Sequence, residues 1–262
     1  MKITLFIITL CASIGCFGQS AVRMRFGAGG VPSGGGGSSS SLTNGLLSYW
    51  AMTNTGSATE PDFFNVHPMV VSSGDTIPTT NNTPLQPARL FNDGEDDYMI
   101  ATNNVFASTD SFTVGGWFRA DSVAATRNIW GRSQVGNLRM NSTDSTLRFV
   151  IANASTNKEI VGPALGANTN YFFGCIYNVT NGNTYLLVCS PTYTNLYSTT
   201  FAPGVESGTN DFYISATSSS LTANWAGSID DIWLSKRAMT TNEIIQLYNG
   251  GTGYPLESWP SN

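Results

Sequence analysis

The sequence contains a single histidine, His67, and neither a G-x-S-x-G motif nor another nucleophile signature. A serine, cysteine or threonine nucleophile of the ordinary kind needs a base beside it, usually an imidazole. We therefore expect no catalytic triad, and we interpret His67 as a turn residue next to Pro68. Two of the four cysteines, Cys11 and Cys16, lie in the N-terminal 18 residues, and one histidine with the two remaining, separated cysteines does not supply the three or four ligands of a zinc site.

Basic residues are scarce. Lysine and arginine total 12 against 17 aspartates and glutamates, which gives a formal net charge of −5 at pH 7. Nucleic-acid binding requires clustered lysine and arginine, because these residues displace counterions from the phosphates. The sequence shows no such cluster, so we expect no nucleic-acid partner.

Long apolar runs are also missing beyond the N-terminus, and a transmembrane helix needs about 20 such residues. Residues 1–18 combine Lys2, a short apolar run and small residues, which is typical of a secretory signal peptide. We predict cleavage after Gly18. The alternative is a lipid on Cys16, since residues 13–16 form an imperfect lipobox. Both alternatives predict an exported protein, either secreted or held at the cell surface.

Residues 19–44 are predicted to be a disordered leader and linker. Residues 27–41 read GAGGVPSGGGGSSSS and have no apolar pattern, so they cannot pack against a core. The reach of a flexible chain matters only between two attached bodies. One body is the domain that follows, and the other would be a membrane that tethers the N-terminus or a larger assembly. The remaining alternative is a leader left by ordinary secretion.

Residues 45–256 show the rhythm of an all-β domain, followed by a short tail at residues 257–262. Short apolar runs are separated by turn residues such as asparagine, glycine, serine and proline. These runs lie at residues 112–118, 147–152, 171–179, 185–189 and 211–216. The pattern predicts an antiparallel jelly-roll sandwich of two sheets that hide their inner faces against each other.

Near the C-terminus the spacing of apolar residues changes from that of a strand to that of a helix. Residues 229–234 predict a strand covered on one face. Thr240 and Glu243 then have the spacing of a capping box, and apolar residues return at helical spacing through Tyr248. Gly250 and Gly251 would supply a left-handed stop, so the pattern predicts one short helix.

Residues 227–251, GSIDDIWLSKRAMTTNEIIQLYNGG, resemble the last strand and closing helix of laminin-G-like, concanavalin A-like sandwich domains. Three further segments follow that family's order: LLSYW at residues 46–50, LFNDGEDDYMI at residues 90–100 and SFTVGGWFRADS at residues 111–122. The resemblance implies the same sandwich fold. It leaves the ligand open, because one fold carries many functions.

The resemblance implies an exported, non-catalytic binding or adhesion domain for carbohydrate, a surface glycoconjugate or a protein. One alternative is a structural protein of a cell surface or virion. Another is a glycoside hydrolase of the same fold. The E-x-D-x-x-E strand motif of laminarinase-type enzymes is absent, and so we expect no catalysis.

Calcium is the cofactor that the sequence favours, in a structural role. Hard cations bind several carboxylate and carbonyl oxygens. In relatives of this fold an acid at the start of the last strand helps to hold such an ion, and Asp230 is the matching residue. We take Asp93 as the second ligand. The alternative is that these acids are solvated or bonded to nearby backbone N–H groups.

Cys175 and Cys189 lie on either side of the turn signal Asn181–Gly182. A three-residue loop would place the two cysteines opposite each other, and a two-residue loop would offset them by one. A cross-strand disulfide and two buried thiols therefore both stay open.

The aromatic residues divide between core and surface. The family positions of Trp50, Trp117 and Trp233 imply interior side chains. The sequence does not decide between core and surface for Trp130, Trp225, Tyr193 and Tyr197. An exposed ring at either tyrosine could stack on a sugar. No ligand-binding residue follows from this pattern alone.

Overall fold

Strands dominate the part of the chain that the computed structural model describes. The described residues are 42–54, 57–72, 77–81, 83–84, 87–92, 97–102, 110–132, 135–152, 156–201, 211–217, 223–254, 256 and 259. The predicted signal peptide, and the leader and linker up to residue 41, lie outside these residues.

The described strands are β1 (Leu46–Trp50), β2 (Thr59–Glu60), β3 (Met69–Val71), β4 (Thr79–Thr80), β5 (Ala88–Phe91), β6 (Met99–Ala101), β7 (Phe112–Ala120), β8 (Arg127–Arg132), β9 (Gly136–Met140), β10 (Thr146–Ala152), β11 (Asn157–Ala164), β12 (Asn170–Tyr177), β13 (Asn183–Ser190), β14 (Tyr193–Thr200), β15 (Phe212–Ile214) and β16 (Gly227–Ser235). One helix, α1 (Thr241–Tyr248), follows the last strand and runs into a 3-10 turn at Asn249–Gly251.

The strands form two antiparallel sheets. Sheet A has the order β14-β13-β12-β7-β16-β5-β4, and β1 pairs with the second half of β16. Sheet B has the order β11-β10-β9-β8-β15-β6-β3-β2. The predicted all-β jelly-roll sandwich with one short C-terminal helix is therefore confirmed.

The inner faces of the two sheets enclose the main core. Large side chains from both sheets pack there, among them Trp50, Trp130 and Phe212, whose rings are stacked. Trp225 is fully buried in the same core against Phe118. The interior prediction for Trp50 is confirmed, and the open question about Trp130 and Trp225 is settled in favour of the core.

The outer face of sheet A carries a second apolar cluster, which α1 and the C-terminal segment cover. Trp117 and Trp233 lie in this cluster, together with Ile244 and Leu247 of the helix. Strand β16 is therefore buried along its whole length. Our prediction of a strand covered on one face was wrong, because the helix that follows β16 folds back over the sheet that contains it.

Helix α1 begins and ends with local capping interactions. The Thr240 hydroxyl accepts from the Glu243 N–H, and the Glu243 carboxylate accepts from the Thr240 N–H, so the predicted capping box is confirmed. At the other end, Asn249 is the left-handed C-cap, with φ 49°. The predicted Gly250 and Gly251 also have positive φ, 62° and 100°, so the left-handed stop is confirmed there but begins one residue earlier, at an asparagine, which tolerates this conformation.

Two paired glycines create the room for the helix side of sheet A. Gly115 of β7 lies opposite Gly174 of β12. A Cβ on Gly115 would overlap the Trp233 indole, and a Cβ on Gly174 would lie 2.8 Å from Ile244 of the helix. The close approach of these two large side chains to the sheet therefore depends on glycine.

The hairpin between β12 and β13 decides the cysteine question. Asn178 donates its N–H to Asn183, so the loop has four residues, 179–182, and neither predicted register is correct. Cys175 lies opposite Leu186 in the main core, whereas Cys189 lies opposite Phe172 on the helix side. Both are free, buried thiols. Burial raises the pKa of Cys189 to about 11.

The substitution Gly115→Ala tests the packing of Trp233 on the sheet. We expect the free energy of unfolding to fall by about 1–3 kcal/mol, because the added methyl group overfills a packed site. Urea unfolding measures this change. Gly166→Ala is the matched control, since its nearest neighbour would be 3.4 Å from the new Cβ, and it should cause no loss. An unchanged unfolding midpoint for Gly115→Ala would contradict the packing described here.

Candidate functional site

The loop between β2 and β3 holds large apolar side chains in water. We call residues 61–68, PDFFNVHP, the apolar loop. The exposed fractions of Phe63, Phe64 and Val66 are 57%, 40% and 60%. Contiguous exposed apolar side chains mark an interaction surface more often than isolated ones do. The apolar loop is therefore the first candidate for a binding surface.

Asp62 fixes the backbone of the apolar loop. One carboxylate oxygen accepts from the N–H groups of Tyr49 and Phe64 at 3.0 and 3.3 Å. The other oxygen accepts from Val66 and His67 at 3.2 and 3.0 Å. Asp62 itself is buried. A single carboxylate thus ties both ends of the loop to β1, so the exposed rings project from an ordered backbone.

His67 closes the far end of the apolar loop. Its Nδ1 lies 2.9 Å from the Ser48 hydroxyl, and its carbonyl accepts from the Trp50 indole N–H at 2.7 Å. Burial lowers the pKa of His67, and the nearby Asp62 opposes this effect. Burial therefore favours the neutral imidazole. His67 lies in a bend beside Pro68, as the turn interpretation expected.

A row of aromatic rings connects the apolar loop with the outer face of sheet A. Phe64 contacts Phe63, with ring centroids 5.3 Å apart, and Phe63 lies edge-on to Tyr49 at 6.4 Å. Tyr49 is in turn edge-on to Trp259 at 6.3 Å, and Trp259 to Trp233 at 5.7 Å. Edge-to-face pairs of this kind are favourable and fix the relative positions of the rings.

The inner end of this row lines a small crevice under the helix. Its walls are Tyr49, Trp117, Phe172, Asp231, Trp233, Leu247, Tyr254 and Trp259. The Tyr49 hydroxyl donates to the Asp231 carboxylate inside the crevice. The cavity volume is about 10 Å³, which is room for about one water molecule. The crevice does not admit a sugar ring, whereas the rings at the outer end of the row are exposed.

A bulge in β16 directs Asp231 towards the crevice. The register between β16 and β7 shifts between Asp230 and Trp233, and Asp231 has a left-handed φ of 46°. A bulge leaves one residue outside the ladder and turns its side chain. Gly116, opposite the bulge, leaves room for the bulged residues, because a Cβ at this position would lie 2.5 Å from Ile232.

The structure describes one of the two residues of the predicted calcium site. Asp230 is fully buried, and its carboxylate accepts from the Thr83 hydroxyl at 2.8 Å and from the Asp231 N–H at 2.9 Å. Asp93 lies outside the described residues. No group of three or more His, Cys, Asp or Glu side chains suited to a metal ion occurs within the described ranges. Calcium therefore stays a prediction.

Other buried acids of the N-terminal strands stabilise the fold. Glu60 forms a buried ion pair with Arg89 at 3.0 Å, and it also accepts from the N–H groups of Thr53 and Asn54. Asp97 accepts from the Asn92 N–H across the connection between β5 and β6. These carboxylates are occupied by backbone and side-chain donors of their own fold.

The tyrosines of β14 do not form a sugar-stacking surface. Tyr193 and Tyr197 point to the inner side of sheet A and pack against the main core. The Tyr193 ring lies 6.5 Å from Tyr171, and burial raises the pKa of the Tyr193 hydroxyl. Among the described residues, the rings of Phe63 and Phe64 are exposed instead. The sequence signal that could have identified them is the run FFNV between Pro61 and Pro68. Its apolar residues do not alternate with polar ones as they would in a half-buried strand.

Comparison with known families places the fold. Residues 93–245, more than half of the chain, match the family described as the concanavalin A-like lectin/glucanases superfamily. The chain belongs to this superfamily. The matched residues begin after the apolar loop and include β16 with its bulge. No curated protein sequence matches the chain.

Solved structures of this lectin/glucanase-like fold support the assignment. Domain 4 of AbnA, a GH43 extracellular arabinanase from Geobacillus stearothermophilus solved with arabinotriose, has a TM-score of 0.58 and 15% identity, and the match covers 76% of this chain and 96% of that domain. A Trypanosoma rangeli sialidase solved with sialic acid has a TM-score of 0.57 and 13% identity, over 81% of this chain and 34% of the sialidase.

The binding domain of botulinum neurotoxin serotype D has a TM-score of 0.55 and 12% identity, over 79% of this chain and 51% of that chain. This chain thus spans about half of the toxin domain and a third of the sialidase. At these identities the likeness shows the fold alone. Within the described ranges, no helix is long and apolar enough to cross a membrane.

The calcium prediction has a direct test. If Asp93 and Asp230 hold calcium, chelation should lower the melting temperature, because an ion bound only by the folded state adds about 2.7 kcal/mol at a hundredfold excess over its dissociation constant. Asp230→Asn should lose this response. Asparagine keeps an acceptor for the Asp231 N–H, so the variant can retain the local hydrogen bond. Equal melting curves of the unaltered protein with calcium and with chelator would contradict the prediction.

Proposed function

We propose that this chain is an exported, non-catalytic carbohydrate-binding domain that contacts its ligand through the apolar loop. The observation that carries the proposal is the presentation of Phe63 and Phe64 in water on a backbone fixed by Asp62. Pre-organised aromatic side chains bind with a small entropic cost, because little freedom remains to be lost. Between the rings and Val66, the exposed amide of Asn65 can bond to sugar hydroxyl groups.

The structural neighbours support carbohydrate as the ligand class. Two of them were solved with arabinotriose and with sialic acid. Sugar rings offer an apolar C–H face and a rim of hydroxyl groups. The aromatic rings of the apolar loop can stack on that face, and the Asn65 amide can bond to the hydroxyl groups. A glycan on a cell surface or on a secreted polymer would fit such an exposed site.

The positions of three described acids, Asp62, Asp230 and Asp231, support a binding role without catalysis. Glycoside hydrolysis ordinarily uses two carboxyl groups on either side of a bound sugar. Asp230 is buried against Thr83, and Asp231 lies in a crevice that is too small for a sugar. The acid of the apolar loop itself, Asp62, is buried, and four N–H groups occupy its carboxylate.

Export is part of the proposal and rests on residues 1–18, which read as a signal peptide, and on the extracellular arabinanase among the neighbours. Mass spectrometry of the mature protein from its host would test it. A mature N-terminus at Gln19, or a lipid on Cys16, supports export. An intact Met1 on a protein that stays inside the cell would contradict it.

Binding to a panel of immobilised glycans tests the ligand class. The panel should include arabinan oligosaccharides and sialylated glycans. We expect Phe63→Ala and Phe64→Ala each to weaken binding about tenfold or more, which corresponds to about 1.4 kcal/mol. Ile245→Ala is the matched control, because Ile245 has the same 40% exposure as Phe64 but lies on α1. The control should bind normally.

Three outcomes would contradict the proposal. Equal binding by the phenylalanine variants would remove the apolar loop from the site. If the unaltered protein released sugars from the panel and Asp231→Asn did not, the chain would be a hydrolase. Stable assembly with a protein, without binding to any glycan, would favour the alternative of a structural surface protein.

A further inference from the structure

The basic side chains of the β-sandwich region are few, and the structure describes all of them. Three of the 12 lysines and arginines, Lys2, Arg23 and Arg25, precede residue 42, whereas all 17 aspartates and glutamates follow it. Residues 42–262 therefore have nine basic and 17 acidic side chains, a formal net charge of −8. The nine basic residues are Arg89, Arg119, Arg127, Arg132, Arg139, Arg148, Lys158, Lys236 and Arg237.

Eight of these nine cations are engaged within the fold. Arg89 and Arg132 are buried, and Arg127 donates to the Asn224 carbonyl at 3.0 Å. The other five form ion pairs: Arg119 with Asp121, Arg139 and Arg148 with Glu159, Lys236 with Asp110, and Arg237 with Glu243.

The ninth cation, Lys158, lies far from the apolar loop. It is an exposed residue of β11, and within the described ranges it forms no ion pair. Strands β11 and β2 are the two ends of sheet B, and the apolar loop connects β2 with β3. Seven inter-strand spacings of about 4.8 Å separate these ends, which is roughly 34 Å. Lys158 therefore cannot contact a sugar that is bound at the apolar loop.

The charges around the apolar loop disfavour an anion. Besides burial, Asp62 and Lys236 act on the pKa of His67. The Asp62 carboxylate is buried in the loop, and the Lys236 ammonium lies 4.0 Å from Asp110. An acidic sugar would lose water from its carboxylate or sulfate against the rings, and the loop has no cation to replace that water. It would also approach the negative charge of Asp62.

The exposed side chains of the apolar loop suit hydroxyl groups. They are Pro61, Phe63, Phe64, Asn65, Val66 and Pro68, and none is charged. The Asn65 amide forms no hydrogen bond to another described residue. An amide has two N–H donors and one carbonyl acceptor, so it can bond to sugar hydroxyls in both directions without a charge.

The two phenylalanine rings do not form one flat platform. Their centroids are 5.3 Å apart, but their planes meet at 80°. A flat surface of many parallel chains, such as crystalline cellulose, can therefore stack on only one of the rings. A single chain has free space on all sides and can contact both.

We propose, on the basis of the function proposed above, that the apolar loop selects an uncharged glycan and binds it as a single chain. Stacking on the rings and hydrogen bonds to Asn65 supply the contacts. Acidic glycans bind more weakly, because neither the loop nor an unpaired cation near it compensates their charge.

Matched neutral and acidic glycans test this selectivity with the unaltered protein. The pairs are dextran and dextran sulfate, lactose and sialyllactose, and polygalacturonate with and without methyl esters. In every pair that binds, the neutral member should bind at least about tenfold more tightly. Its affinity should not fall between about 0.01 and 1 M salt, because the site has no ion pair to screen. Crystalline cellulose should not retain the protein.

An added cation in the apolar loop should relax the selectivity. Val66→Lys keeps the backbone N–H that donates to Asp62 and places an ammonium group beside the rings. We expect the acidic members to gain at least about tenfold in affinity relative to the neutral ones. Val161→Lys is the matched control, since it adds the same charge at a 48% exposed site in β11 and should leave the ratio unchanged.

The outcomes separate this selectivity from carbohydrate binding itself. Tighter binding of the acidic members, or a steep loss of affinity with salt, would overturn the selectivity while the domain still binds glycans. An unchanged ratio in Val66→Lys, or retention on crystalline cellulose, would also overturn it. If the protein bound no glycan of either kind, the function proposed above would fail, and the selectivity with it.

Discussion

Burial of β16 on both faces is the constraint on which most of this structure depends. Its inner side chains, such as Ile232 and Leu234, belong to the core between the sheets, while Trp233 lies on the helix side. A strand apolar on both faces must be covered twice. Helix α1 provides the second cover. It can pack close to the sheet because Gly115 and Gly174 have no side chains. The fold is thus a two-layer sandwich with a third layer over one part of sheet A.

The candidate site derives its position from the same strand. Strand β1 pairs with the second half of β16, and this pairing places Tyr49 beside Trp233. The Tyr49 N–H then donates to Asp62, which holds the apolar loop. Hydrogen bonds to a charged carboxylate contribute about 1.5–3 kcal/mol each, so these four can hold a loop whose exposed rings gain little from burial. The rings stay in water because the backbone beneath them is fixed.

Local patterns in the sequence predicted the fold well, and long-range packing explains the rest. The capping box at Thr240 and the strand runs follow from short-range chemistry, which the sequence contains. The β12-β13 loop differs because the Asn178 and Asn181 side chains each accept from a backbone N–H two residues later, which lengthens the turn. The run FFNV indicates a loop, but the placement of Phe63 depends on the distant Tyr49, whose N–H donates to Asp62 and whose ring contacts Phe63. Asp230 was correctly placed on the last strand, but its partner Thr83 is remote in sequence.

The central claim is that Asp62 holds the apolar loop in one conformation before any ligand binds. Hydrogen exchange of the loop amides in the free protein tests this claim most directly. The N–H groups of Val66 and His67 both donate to the buried Asp62 carboxylate. We predict that they exchange as slowly as amides within the sandwich strands and become fast in Asp62→Ala. Exchange near the rate of an unfolded chain in the unaltered protein would contradict the claim.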